Sequence, residues 1–341
     1  MKHAKRGITL YLFSMLAIFL VGCQSEKQFN FTQPKMGTLF HMTLYASSEQ
    51  VANRAAAAAW ARVDELNSIL SDYDANSELS QLSQRTNDGP MTQPVHVSDD
   101  LFRVLDRSLQ ASQLSDGAFD VTVGPFIHLW RRSRQLKELP TTQRVEEARK
   151  SIGYQNLKLD PKNHTVQLLA PRMRLDVGGI AKGYTAEECL KVIRLYGITR
   201  ALVGAAGDIA TGDPPPGKPG WRIKLESLSD ETGPPLYVLL TNHYAISTSG
   251  DTERFVIIDS VRYSHIVDPR TGLGLTHRVG VSFIAPDATT TDWASTAVSV
   301  LGPEKGLAMI EKIPNAAARI TTLEDGRIKV WESSRFRQLV P

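Results

Sequence analysis

Cysteine is scarce in this sequence, with only Cys23 and Cys189 among 341 residues, so at most one disulfide is available. Aromatic residues are few at 7%, and neither sign of charge dominates: 39 Lys and Arg face 36 Asp and Glu, for a net charge of +3. No long basic run follows the N-terminus, so nothing points to nucleic-acid binding. Internal repeats are lacking too. What remains, 42% hydrophobic and 22% charged over this length, suits one large domain or two intimate lobes.

The long apolar run lies at the N-terminus. "MKHAKR" is a basic stretch and "GITLYLFSMLAIFLVG" is a short apolar one, followed by Cys23. It is short and wrongly flanked for a membrane span, and a secretory signal fits better. "LVGC" resembles a bacterial lipobox, in which the cysteine thiol is lipidated and becomes the mature N-terminus. Residues 1–22 are then a signal peptide and 23–33 a lipidated, polar tether, with inner or outer membrane left open. Cys189 has no partner in that case, and it reads as a small packing residue of a helix.

From residue 34 to 341 the patterns alternate irregularly. "MGTLFHMTLYA" puts Phe40, Met42 and Leu44 on one face of a strand. Ser48 caps an alanine-rich helix striped by Val63, Leu66 and Leu70, and a polar loop "SDYDANSELSQLSQ" follows. A helix capped by Ser98 carries Leu101, Leu105 and Leu109 and stops at Gly117. Asp120 begins an extended run. A polar helix near 142–152 leads to a hairpin, "LKLD" to "TVQLL". Strand patterns then dominate ("MRLDV", "RALVG", "WRIKL", "LYVLL", "RFVIID", "RYSHIV", "VGVSFIA"), and two helices and an Asp325-Gly326 hairpin close the chain. Helices are not interposed regularly between strands, which excludes a doubly wound sheet. The expectation is an α+β fold of mixed, largely antiparallel sheets with packed helices, in a single two-lobed domain. "GDPPPGKPG" reads as a surface excursion.

Four clusters could carry chemistry. "LDVGGIAKGYTAEE" is not a P-loop, because Lys182 is followed by Gly183 and Tyr184 where a Ser or Thr must hold magnesium. Its paired glycines either cradle an anion at a helix start, with Lys182 in reach, or make a tight turn for packing. In "YSHIVDPRTG", residues 268–272 form a turn, and His265 is either a proton acceptor or a structural strand residue. In "TTTDWASTAVSV", Asp292 and Thr296 share one helix face. They are either oxygen ligands for a hard cation or a helix-start Asp with an incidental Thr. In "SDGAFDVTVGPFIHLW", Phe119 and Trp130 suit a core or a planar ligand equally.

Together these segments, with "SDYDANSELSQLS", "DGAFDVTVGP", "ALVGAAGDI", "AISTSGD" and "APDATTTDWASTA…LG", resemble the ApbE family of FAD:protein FMN transferases, from about Met36 to at least Gly302. The resemblance implies a Mg²⁺-dependent enzyme of the bacterial cell envelope. Such an enzyme splits the pyrophosphate of FAD, joins the FMN half to a Thr or Ser hydroxyl of a target protein by a phosphoester bond, and releases AMP. The implied partners are flavoprotein subunits of the sodium-pumping quinone reductase or Rnf type.

Carried over by motif, Asp292 and Thr296 match the family's magnesium side-chain ligands, and the backbone carbonyl of Gly179 its third. Met36, Tyr73, Ala118, Phe119, Asp120, Asp176, Lys182, His265 and Ile266 fall where the family contacts FAD. Lys182 adds positive charge near the phosphates, and His265 matches the histidine proposed to assist the attacking hydroxyl. Ala206 stands where a second glycine is usual, Glu187 lies where an Asp is frequent nearby, and a tyrosine often found near Thr252 is lacking. Two other activities would share this site: a lipid-anchored FAD-binding or storage protein, and an FAD pyrophosphatase yielding FMN and AMP.

Overall fold

A strand, not a tether, opens the fold. In the computed structural model, which describes residues 25–225, 235–241, 243–250 and 255–340, β1 (Lys27–Lys35) pairs antiparallel with β2 (Thr38–Ala46). Over residues 27–33 a strand stands where a polar tether was expected. Phe29 and Phe31 pack against the core on one face of β1, and Gln28, Asn30 and Thr32, which alternate with them, stay exposed, as an edge strand allows. Cys23, the apolar segment before it and Thr252 lie outside the described residues. No described helix is long and apolar enough to cross a membrane.

Ser48 caps α1 (Glu49–Leu70) by accepting from Val51 N–H, as expected. The segment read as a polar loop contains a short helix, α2 (Glu78–Gln84), because Ser77 caps it and Leu79 and Leu82 find the core. A short strand β3 (Val95–His96) precedes α3 (Asp99–Leu114), and Gly117 follows that helix at φ 73°. The extended run expected from Asp120 is instead a turn and then α4 (Gly124–Leu136), which Pro125 helps to start. Its Trp130 is a core residue. Next come α5 (Thr142–Arg149) and the expected hairpin, β4 (Leu157–Asp160) with β5 (Thr165–Leu168), which forms a small sheet with β3. "MRLDV" makes only one bridge, Arg174 to Val123.

The second half builds the main layer. After α6 (Ala181–Arg194) run β6 (Ala201–Ala205), β7 (Asp208–Thr211), β8 (Trp221–Lys224), β9 (Tyr237–Leu240), β10 (Ala245–Gly250), β11 (Phe255–Ile258), β12 (Val261–Ser264) and β13 (Arg278–Ala285). Then α7 (Ala288–Leu301), α8 (Pro303–Ile310), β14 (Ala317–Glu324) and β15 (Arg327–Glu332) complete the chain. Eight strands form one sheet in the order β1-β2-β6-β7-β10-β13-β14-β15, and every laddered pairing among the described residues is antiparallel. The α+β, largely antiparallel expectation holds.

Helices α1, α6 and α7 cover one face of this sheet, and the β8–β9 hairpin with Phe336 covers the other. Strand β13 is thus buried on both faces, which explains its near-continuous apolar run "VGVSFIA". The close packing of α1 on α6 uses Ala52, Ala55, Ala56 and Ala59, small residues that let helices approach. Cys189 sits in that seam, fully buried, with burial pushing its thiol up to about 12. It is the inert packing residue expected. Helices α6 and α7 meet at Gly183, where a Cβ would lie 2.0 Å from the carbonyl oxygen of Ala288. Only glycine permits that crossing, and the crossing brings Lys182 to Asp292.

Candidate active site

The centre of the site is one ammonium between two carboxylates. Lys182 Nζ lies 2.9 Å from Asp208 Oδ2 and 3.1 Å from Asp292 Oδ1, and it donates to Gly178 O at 3.2 Å. Asp292 Oδ2 also accepts from Gly183 N–H at 3.0 Å. Both carboxylates are buried, Asp208 at 4% and Asp292 at 3% exposure. Burial alone lowers the pKa of the Lys182 ammonium, but its two acidic partners more than reverse this and hold it charged. For Asp292, burial first and the Asp208 carboxylate second raise the pKa to about 6, against the opposing pull of Lys182. Two acids share one cation, so the pocket carries an unbalanced negative charge suited to a further cation.

Helix α7 aims Asp292. Its own Asp287 caps the Thr290 N–H at 2.8 Å, and Glu187, midway along α6, accepts from Thr289 N–H at 2.8 Å, so the start of α7 is tied to the middle of α6. Thr296 lies one turn after Asp292, as the sequence predicts. A Cβ built on Gly179 would stand 3.3 Å from Thr296 Oγ1 and 3.1 Å from the Phe119 ring, so the Gly179 backbone lies directly against both. Thr296 Oγ1 has no hydrogen-bond partner among the described residues. A carboxylate, an idle hydroxyl and an adjacent backbone are an all-oxygen donor set, and they fit a small hard cation such as Mg²⁺. Among the described residues, no group of three His, Cys, Asp or Glu could hold a metal instead.

A second cluster lies upstream of the glycines. Arg131 on α4 bridges Asp72, at 2.5 Å, and Asp176, at 3.1 Å, and its guanidinium covers the Tyr73 ring at 4.0 Å from the centroid. Asp176 Oδ1 accepts from Gly178 N–H at 2.9 Å, which shapes the turn before Lys182. Burial, then the nearby Asp72 carboxylate, raises Asp176 to about 6. Tyr73 is 80% exposed, a large aromatic face held open to solvent on a cationic support.

Other expected residues fall into place unevenly. Met36 sits with Gly37 at the β1–β2 turn, both at positive φ, and its sulfur accepts from Thr185 of α6 at 3.5 Å. Asp120 is committed to its own loop: Thr122 donates twice to one oxygen and Tyr154 N–H to the other. It is buried and shapes the Phe119 segment, with burial raising its pKa. His265 lies just past the end of β12, in a bend, where a strand position was expected. Ile266 packs with Ala118 and with Val300 on α7, which attaches the His265 segment to the helix that carries Thr296. The Asp268–Gly272 turn is structural as read, with Arg270 clasping Asp268 and donating to Val300 O.

Asp208, Asp72 and Arg131 escape sequence reasoning. A buried Asp directly after the tight turn in "AAGDI" is the one available signal. For the other two, the partners are 45 and 59 residues apart, and nothing local links them.

An antiparallel α+β layer that sets a lysine, two acids and a threonine around a glycine pair defines a protein class. The family model for the ApbE family matches residues 36–320, and this chain belongs to that family. Among curated relatives, an FAD:protein FMN transferase of Escherichia coli (strain K12) is 28% identical over 339 residues, covering 95% of each chain. One from Treponema pallidum is 30% identical over 301 residues, covering 83% of this chain and 81% of the relative. The flavin transferase ApbE from Vibrio cholerae superposes with a TM-score of 0.80 at 28% identity, over 92% of this chain and 99% of that one. The ApbE protein of Thermotoga maritima does so with a TM-score of 0.78 at 30% identity, over 92% and 100%.

Proposed function

We propose that this chain is an FAD:protein FMN transferase that uses Mg²⁺. The observation that carries the reading is the half-buried Lys182 held between the buried Asp208 and Asp292, beside Gly179 and the idle Thr296 hydroxyl, in a chain of the ApbE family. Asp292, Thr296 and the Gly179 backbone would hold Mg²⁺, which when bound neutralises pyrophosphate charge and steadies the leaving phosphate. Lys182, kept charged by its acids, adds a fixed positive charge for the same oxygens. Tyr73 on Arg131 offers an exposed ring for a planar group. Phe119 underlies the Gly179 turn.

The oxygen of an acceptor Thr or Ser hydroxyl bonds to the phosphorus of the FMN half. The bond from that phosphorus to the bridging oxygen breaks, and AMP departs with that oxygen. The hydroxyl proton passes to His265 and from there to solvent. Water in place of the hydroxyl would give FMN and AMP.

The proposal extends to location and partners. The basic and apolar N-terminal stretch with "LVGC" supports a lipoprotein anchored through Cys23, which carries lipid and palmitate, facing the periplasm from the inner or outer membrane. Family membership supports acceptors among flavoprotein subunits of the sodium-pumping quinone reductase or Rnf type. The test combines the chain lacking residues 1–23 with FAD, Mg²⁺ and such an acceptor. Flavin fluorescence that stays on the denatured acceptor, with matching AMP release, supports transfer. AMP and FMN with no labelled acceptor would establish the pyrophosphatase instead, and bound FAD without AMP a storage protein.

A further inference from the structure

A groove outside the acid–lysine centre lies between α4 and β11. It has a volume of about 570 Å³ and is lined by Arg131, Arg134, Gln135, Lys137, Phe255, Val256 and Ile257. The positions 131, 134 and 135 share one face of α4. On the opposite wall the lining residues are three in a row. Successive side chains of a strand point to opposite faces, so a cavity that touches three consecutive residues touches the strand's edge. That edge is open: among the described residues, β11 pairs only with β12. Phe255 and Ile257 are 39% and 56% exposed beside it.

The groove also joins the two parts of the site. Arg131, at one side, holds Asp176 and Tyr73. Phe255, at the other, pairs across the hairpin with Ser264, the residue before His265. Its charge is one-sided. Arg131 is spent on Asp72 and Asp176, but Arg134 and Lys137 have no ion-pair partner among the described residues. Cations without an ion-pair partner among the described residues, beside exposed apolar side chains and a strand edge that no described strand covers, call for an extended chain with acidic residues.

We propose that this groove docks the hydroxyl-bearing segment of the acceptor protein, an acidic extended segment that adds as a strand to β11. The inference rests on the transferase reading and names the surface that reading requires. Backbone hydrogen bonds to β11 hold the segment in register, Phe255 and Ile257 take its apolar side chains, and Arg134 and Lys137 take its carboxylates. The hairpin leads the bound strand toward His265.

Two short fluorescent peptides test this, each extended in character with one central Thr, flanked by Asp in one and by Lys in the other. Their binding is measured by anisotropy with FAD present. The wild-type chain is expected to bind the Asp peptide about tenfold more tightly than the Lys peptide. The Arg134→Glu, Lys137→Glu double variant is expected to reverse that order, with melting temperature and FAD affinity unchanged. Equal affinity for the two peptides, no binding of either, or a preference that survives the double variant overturns the proposal. A fall in FAD affinity in that variant also overturns it, because the groove would then belong to the FAD site. AMP release is followed separately in the wild type with a whole acceptor protein. Its absence would sink the transferase reading and leave the peptide result standing on its own.

Discussion

At the residue scale the site is a contest for one ammonium. Asp292→Ala removes the buried carboxylate that an all-oxygen cation site needs, so FAD turnover should fall to background, and Mg²⁺ should no longer raise the melting temperature. Asp208→Asn acts less directly. It leaves Lys182 with Asp292 as its only acidic partner, so a cation must displace a stronger ion pair. The Mg²⁺ concentration for half-maximal thermal stabilisation should rise by about tenfold, the scale of one lost charge partner in a shielded site. An unchanged Mg²⁺ dependence would show that Asp208 does not govern Lys182. Asp292, Thr296 and Lys182 were legible in the sequence because each sits in a local motif. Asp208 was not, because its role exists only where β7 passes under α6.

At the element scale two backbone positions decide how the site is built. Gly183→Ala puts a methyl group 2.0 Å from the Ala288 carbonyl, so α6 and α7 must separate. A loss of about 3 kcal/mol in urea unfolding is expected, at the upper end of overpacking costs, together with weakened FAD binding as Lys182 leaves Asp292. Ala206 points the other way. It turns the chain from β6 into β7 at φ 56°, a left-handed conformation that costs an L-residue about 1–2 kcal/mol. Ala206→Gly relieves that strain and raises unfolded-chain entropy, and should stabilise the protein by about 0.5–1 kcal/mol in the same assay. A variant less stable than wild type would mean the turn is not strained. The glycine question posed by "GGIAKG" is answered at this scale: Gly183 serves packing, and Gly179 brings backbone against Thr296.

At the scale of the whole molecule, Arg62 ties three helices together. From α1 it reaches Asp100 on α3 at 2.6 Å and Glu188 on α6 at 2.7 Å, and Tyr184 donates to the same Asp100. Burial would raise both acids, but for Asp100 the Arg62 and Tyr184 hydrogen bonds, and for Glu188 those of Lys191 and Arg62, hold them below their ordinary values. Depressed acids bind fewer protons folded than unfolded. The stability they contribute is therefore complete above the ordinary carboxylate range and is lost as pH falls through the depressed values. Arg62→Ala should cost about 3 kcal/mol near neutral pH, because Asp100 loses its arginine and Glu188 is left with Lys191 alone. The gap to wild type should narrow in acid unfolding curves, and a gap independent of pH would sink this account.

By itself the sequence determined what short-range patterns encode: the capped helices at Ser48 and Ser98, the β4–β5 hairpin, the α+β class and the Asp292–Thr296 helix face. Capping, turn chemistry and periodicity act over a few residues, so they can be read without the fold. Tertiary structure alone decided that residues 27–35 are an edge strand, that Asp120 orders a loop, and that α4 replaces an extended run. It also decided that Asp208, Arg131 and Asp72 join the site. These depend on which surfaces meet, and the meeting of α6, α7 and β7 is set by burial over the whole chain, which no local pattern records.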